Sequence, residues 1–175
     1  MICLTNKYKD FIFIYVYMSN RAIAVFNGKK IQGTVLFTEN DDVVNIDIDI
    51  RGLKKNAQHG FHIHEYGDMS EECISMCAHF NPYNKNHGGK DSKERHVGDL
   101  GNLTTDKNGC VKYRITDSLI KLRGVKSNII GRGLIIHEDI DDLGLGSNPE
   151  SLINGNAGKR IACSVIGYAR PNTKC

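Results

Sequence analysis

Six of the chain's seven histidines, together with one aspartate, stand at spacings that serve one purpose only if distant segments meet. They are His62-x-His64, His79, His87, His96-x-x-Asp99 and the distant His137. Neutral imidazole binds metals through either ring nitrogen and is the commonest metal ligand. Residues two apart on a strand leave by the same face, so His62 and His64 can hold one ion at a fixed angle. An isolated His-x-His is often a satisfied structural pair; the loop residues around it shift the reading toward metal. Three imidazoles and a carboxylate (His79, His87, His96, Asp99) make a closed tetrahedral set of the kind zinc prefers. Four imidazoles around one ion suit copper. Two four-coordinate sites need eight ligands and this set has seven, so one imidazole must bridge through both nitrogens.

The segment Val43–Arg51 reads VVNIDIDIR, with Ile46, Ile48 and Ile50 alternating against Asn45, Asp47 and Asp49. Period two makes it a half-buried antiparallel strand. Val111, Tyr113 and Ile115 alternate in the same way after Asn108-Gly109, a hairpin turn signal. Asn27-Gly28 turns the chain between strands 22–26 and 31–37. Further strands are expected at 59–66, 97–104, 129–137 and 161–169. About eight short strands separated by turns indicate an all-β sandwich or barrel. Two Gly/Asn/Asp/Ser-rich stretches, 67–95 and 138–159, read as long functional loops. Asn148-Pro149 in the second could open a short helix, with Asn148 as N-cap.

At 175 residues the chain fits one domain with its own core. No window carries the roughly 18 apolar residues a membrane span requires. The net charge of +3 comes without a basic stripe, so nucleic-acid binding has little support. Residues 1–20 are read as an extension ahead of a domain at 21–170, with 171–175 a tail. The apolar run 11–18 is short and Tyr-rich, with no small-residue cleavage signature. It is read as an extra strand, or as a stretch upstream of Met18, rather than a secretory signal. Six cysteines (3, 73, 77, 110, 163, 175) show no C-x-x-C spacing, and mostly free thiols suit a reducing, cytoplasmic location.

The segments GFHIHEYGD (60–68), HFNP (79–82), HGG (87–89), ERHVGDLGN (94–102), GRGLIIHEDIDDLG (131–144) and GNAGKRIACSVIGYA (155–169) resemble the copper/zinc superoxide dismutase family. The resemblance covers about residues 21–169. It implies an eight-stranded Greek-key sandwich and disproportionation of superoxide to oxygen and hydrogen peroxide. His62, His64, His79 and His137 would hold copper; His79, His87, His96 and Asp99 would hold zinc, with His79 the bridge. Asp141 would link a copper histidine to a zinc histidine, His59 would be structural, and Cys73–Cys163 would be the single disulfide. Arg160 would stand beside the open copper position. The resemblance also implies a homodimer through Tyr66, Gly67, Ile130, Gly131, Val165 and Gly167, with a copper chaperone as a further partner.

Superoxide is a small anion, and superoxide dismutases reach the diffusional ceiling, so steering matters. Here Asp139 stands where many family members have Lys. Pro149 and Ile153 replace a common Glu and Lys, and Asn154 a common Thr. A weaker positive funnel is therefore expected. Cys77, two residues before His79, is read as an inert buried thiol, with pairing to Cys163 and metal binding as the alternatives. A non-enzymatic copper-binding relative would lack a copper histidine or Arg160, and a zinc hydrolase would need an open zinc site; neither fits.

Overall fold

The computed structural model describes residues 20–171. The extension ahead of residue 20, Met18, Cys3 and Cys175 lie outside them. The strands are β1 (Arg21–Asn27), β2 (Gln32–Asn40), β3 (Val43–Arg51), β4 (Gln58–His64), β5 (Asp99–Thr104), β6 (Val111–Asp117), β7 (Gly133–His137), β8 (Arg160–Val165) and β9 (Gly167–Tyr168). They form two antiparallel sheets, ordered β6-β3-β2-β1-β9 and β5-β4-β7-β8. Alternation does what the sequence expects. Ile46, Ile48 and Ile50 of β3 are buried with Val35 and Phe37 of β2, and meet Phe61, Ile63, Leu103, Leu134 and Ile136 of the other sheet. On the solvent face, Asp47 and Arg114 stand opposite one another and pair bidentately at 2.6 and 2.9 Å.

All eight expected strands are present, with three differences. The last is divided at Ile166. Ser164 Oγ accepts the Val25 N–H and donates to the Val25 carbonyl, both at 2.9 Å. Ile166 bonds back to Gly131 and Arg132, and the chain then crosses to pair Gly167 and Tyr168 with β1. One segment thus serves both sheets. Second, the Asn108-Gly109 turn forms, but β5 pairs with β4 and β6 with β3, so it links the two sheets instead of closing a hairpin. Asp106 Oδ1 fixes it by accepting the N–H groups of Asn108 and Cys110, each at 2.8 Å. Third, the expected helix is one turn, α1 (Ser151–Asn154). Asn148 Oδ1 does accept the Ser151 N–H at 3.1 Å, so the cap precedes the regular turn.

The long loops join β4 to β5 and β7 to β8. A disulfide between Cys73 and Cys163, with Cα atoms 5.6 Å apart, ties the first loop to β8. No described helix is long and apolar enough to cross a membrane.

Candidate metal centre

β4 lies between β5 and β7, and its three histidines are buried. His62 and His64 leave it by one face, as the spacing expects. The first loop folds back along that face. Phe80 N–H donates to Ile63 O and Ile63 N–H to Gly98 O, both at 2.8 Å. These bonds set His79 beside His64 and bring His96 and Asp99 to the same place. His137 arrives from the end of β7.

Ring nitrogens define what the cluster can hold. His62 Nε2 donates to Asp141 Oδ2 at 2.8 Å, His64 Nδ1 to Cys77 O at 2.8 Å, and His137 Nδ1 to Gly158 O at 3.2 Å. His79 Nδ1 lies 2.9 Å from Asp99 Oδ1. The opposite nitrogen of each ring (His62 Nδ1, His64 Nε2, His79 Nε2, His137 Nε2) is buried without a hydrogen-bond partner. These four histidines can bring one ligand atom each within 4.8 Å of one another. Four orphaned nitrogens on four anchored rings fit a soft or borderline cation, and leaving them empty is costly.

A second group lies on the other side of His79. His79, His87, His96 and Asp99 converge within the same limit. His87 Nδ1 and His96 Nδ1 lie 3.0 and 3.1 Å from Asp99 Oδ1. His87 Nδ1 is close to that oxygen without hydrogen-bond alignment, as ligands aimed at a shared ion would be. A third grouping, His62, His87 and Asp141, is held by 2.8 Å hydrogen bonds through Nε2, and the ligand nitrogens of both rings point elsewhere. Asp141 therefore fastens one ring of each group. Its backbone is clamped by Asn102, which accepts its N–H and donates to its carbonyl, both at 2.8 Å. Gly155, at φ 68°, lets the second loop close over this contact; a Cβ there would fall on Asp141 Oδ1 and His87 Nε2.

The electrostatics follow from burial. Desolvation, then the neighbouring His79, lowers His62 from 6.5 to about 3. Desolvation likewise lowers His137 to about 4 and holds His64 and His79 below the ordinary histidine range. These rings are neutral, the state that binds metal. His87 is also desolvated, but its bond to Asp141 and the nearby Asp99 carboxylate outweigh that and raise it to about 9. Burial opposes charge on Asp99 and Asp141, yet their histidine donors outweigh it and keep both carboxyls well below the usual range.

A cavity of about 580 Å³ opens onto the first group, lined by His64, His79, His137 and Arg160, with Glu150, Ile153 and Asn154 from the second loop. Arg160 is held by carbonyls: Nη1 donates to Cys73 O at 2.6 Å and Ile74 O at 3.1 Å, and Nη2 to Cys77 O at 2.5 Å. Asp139 and Pro149 do not line this cavity. His59 is buried, with Nδ1 donating to His137 O at 2.8 Å, and belongs to neither metal group. Cys77 corrects an expectation: its thiol is exposed, not buried, and it lines the cavity. The loop carbonyls that orient His64, His137 and Arg160 carry no side-chain signature from which a sequence could reveal them, and nothing in the spacing of Asn102 names Asp141 as the partner of its amide.

The fold and the site define a histidine centre with two candidate metal groups on an antiparallel sandwich, with the Arg160 guanidinium in the lining of its cavity. The family description copper/zinc superoxide dismutase matches residues 31–166. Superoxide dismutase [Cu-Zn] of Paramecium bursaria Chlorella virus 1 is 62% identical over 86% of this chain and 80% of its own length. That of Yarrowia lipolytica is 50% identical over 84% and 97%. An extracellular superoxide dismutase [Cu-Zn] of Drosophila melanogaster is 51% identical over 79% and 76%. A solved structure, the clock protein EA4, superposes with a TM-score of 0.84 at 43% identity, covering 87% of this chain and 96% of that one. The chain belongs to the copper/zinc superoxide dismutase family, oxidoreductases whose cofactors are copper and zinc.

Proposed function

We propose that this centre disproportionates superoxide, with copper held by His62, His64, His79 and His137 and zinc by His79, His87, His96 and Asp99. The observation that carries the reading is the set of four buried, unpartnered nitrogens on rings whose other nitrogens are fixed. Bound copper supplies a one-electron couple for the two half-reactions, and zinc, without redox chemistry, supplies a fixed cation. Arg160 draws the superoxide anion into the cavity and hydrogen-bonds it. Its three carbonyl contacts leave two of its five N–H groups for that task. His79 faces the cavity through Nε2 and can hold a proton there for the product peroxide. Asp141 fixes the tautomers of His62 and His87, so that each presents Nδ1 to its ion. Metal analysis with a superoxide-decay assay tests the assignment. His62→Ala should abolish turnover, and Arg160→Ala should slow it with copper retained. Full turnover by His62→Ala protein would refute the reading.

The finer setting is proposed on the same footing. Exposed Tyr66, Val165 and Tyr168, at 56%, 36% and 57%, supply apolar surface for a homodimer. Copper must reach nitrogens that are already buried, which favours delivery by a copper chaperone. Free Cys77 and Cys110 suit a cytoplasmic location.

A further inference from the structure

Cys77 stands where a side chain is least expected. Its backbone has φ 59° and ψ −139°, a left-handed conformation that favours glycine. Its carbonyl is committed to His64 and Arg160, yet its thiol is exposed and, among the described residues, hydrogen-bonds only Ser75 O, at 3.6 Å. The thiol lines the same cavity as His64, His79 and His137, whose buried Nε2 atoms are unpartnered and aimed into it. Two charged side chains line that cavity, Arg160 and Glu150. Arg160 lines the cavity together with Cys77 and holds its carbonyl through Nη2, and Glu150 is engaged by Asn154 Nδ2 at 2.6 Å. About 580 Å³ is ample for a small organic molecule, far more than superoxide needs.

We propose that Cys77 is a mixed-disulfide site for carboxylate-bearing low-molecular-weight thiols, and that the attached group closes the substrate cavity. The inference rests on the dismutase reading of that cavity. In the step, the Cys77 thiolate attacks one sulfur of a small disulfide RSSR. The Cys77–S–S–R bond forms, the R–S–S–R bond breaks, and RS⁻ leaves and takes up the proton Cys77 lost. Charge is conserved, and the small disulfide is the only co-reactant. A carboxylate of R then competes with superoxide for the two free N–H groups of Arg160, and the body of R fills the approach to the histidines.

The test uses copper- and zinc-loaded protein treated with glutathione disulfide, or with cystamine as a cationic counterpart. Non-reducing peptide mapping separates Cys77 from Cys3, Cys110 and Cys175. The expected result is a glutathionyl group on Cys77, formed at least threefold faster than the cystamine adduct. The capped protein should lose at least tenfold of its own pre-treatment superoxide-decay rate. Cys77→Ser and Cys77→Gly proteins, each compared with itself before treatment, should keep their rates. Adducts confined to other cysteines, no preference for the anionic reagent, or a capped protein with its full rate would each overturn the proposal. A protein inactive before treatment would instead overturn the dismutase reading, while the mapping and the reagent preference would still be read.

Discussion

Asp141→Asn should weaken metal binding by 10- to 100-fold without unfolding the chain. The carboxylate is 1% exposed and accepts three N–H groups: His62 Nε2 and His87 Nε2 at 2.8 Å and Leu143 N at 2.7 Å. An amide keeps one oxygen and turns the other into a donor. If the oxygen stays with His87 and Leu143, the NH₂ group faces the His62 N–H. His62 must then turn or change tautomer, placing a proton where copper binds. The mirror arrangement does the same to His87 and zinc. The first arrangement removes one charge-assisted hydrogen bond and the mirror removes two, that of His87 and that of the Leu143 N–H, each worth roughly 1.5–3 kcal/mol. At about 1.4 kcal/mol per tenfold, that is at least a factor of ten, within the range of about 10–100 seen when an outer partner of a ligand is removed. Competition against a chromophoric chelator, run separately for copper and zinc, measures it. Affinities for both metals within threefold of the unsubstituted protein would refute the claim that Asp141 sets these rings.

Three further outcomes follow from the same geometry. In metal-free protein, unfolded histidines gain protons as pH falls through 6.5, while folded His62 and His137 wait until about 3 and 4. Stability should therefore fall on the acid side, by roughly 1.4 kcal/mol per pH unit for each ring. His87, raised to about 9, contributes stability that is whole below 6.5 and is lost as pH rises through 9. Urea unfolding should thus show a maximum near neutral pH, and a flat profile would contradict it. Cys163→Ser opens a disulfide with a sequence separation of 90 and should cost roughly 4–5 kcal/mol in thermal or urea unfolding. With only Arg160 and Glu150 charged in the cavity lining, the catalytic rate should decline little with ionic strength; a steep fall in stopped-flow superoxide decay would contradict this.

The fold was legible because most β-strands alternate against one core. Val43–Arg51 shows its isoleucine face directly, and the structure buries that face. The ligand set was legible because imidazole pairs and loop histidines have few competing uses. Ile161–Ala169 reads as one strand because nothing in a hydrophobic pattern says that Ile166 bonds to a different loop before the chain changes sheets. The Asn108-Gly109 turn is locally a hairpin signal, and only the partners of β5 and β6 reveal that it joins two sheets. Cys77 was misread as buried because cysteine usually packs inside. Its thiol is exposed on a left-handed backbone, and backbone conformation at a single residue leaves no trace in composition.

In the proposed centre His79 would serve both ions, with Nδ1 on the side of Asp99 and the unpartnered Nε2 on the side of the copper group. Replacing zinc by paramagnetic cobalt and recording the copper resonance tests it most directly. A shared imidazole ring should couple the two spins and suppress the copper signal, and His79→Gln should restore it. An undiminished copper signal in the fully loaded cobalt protein would show that no ring is shared.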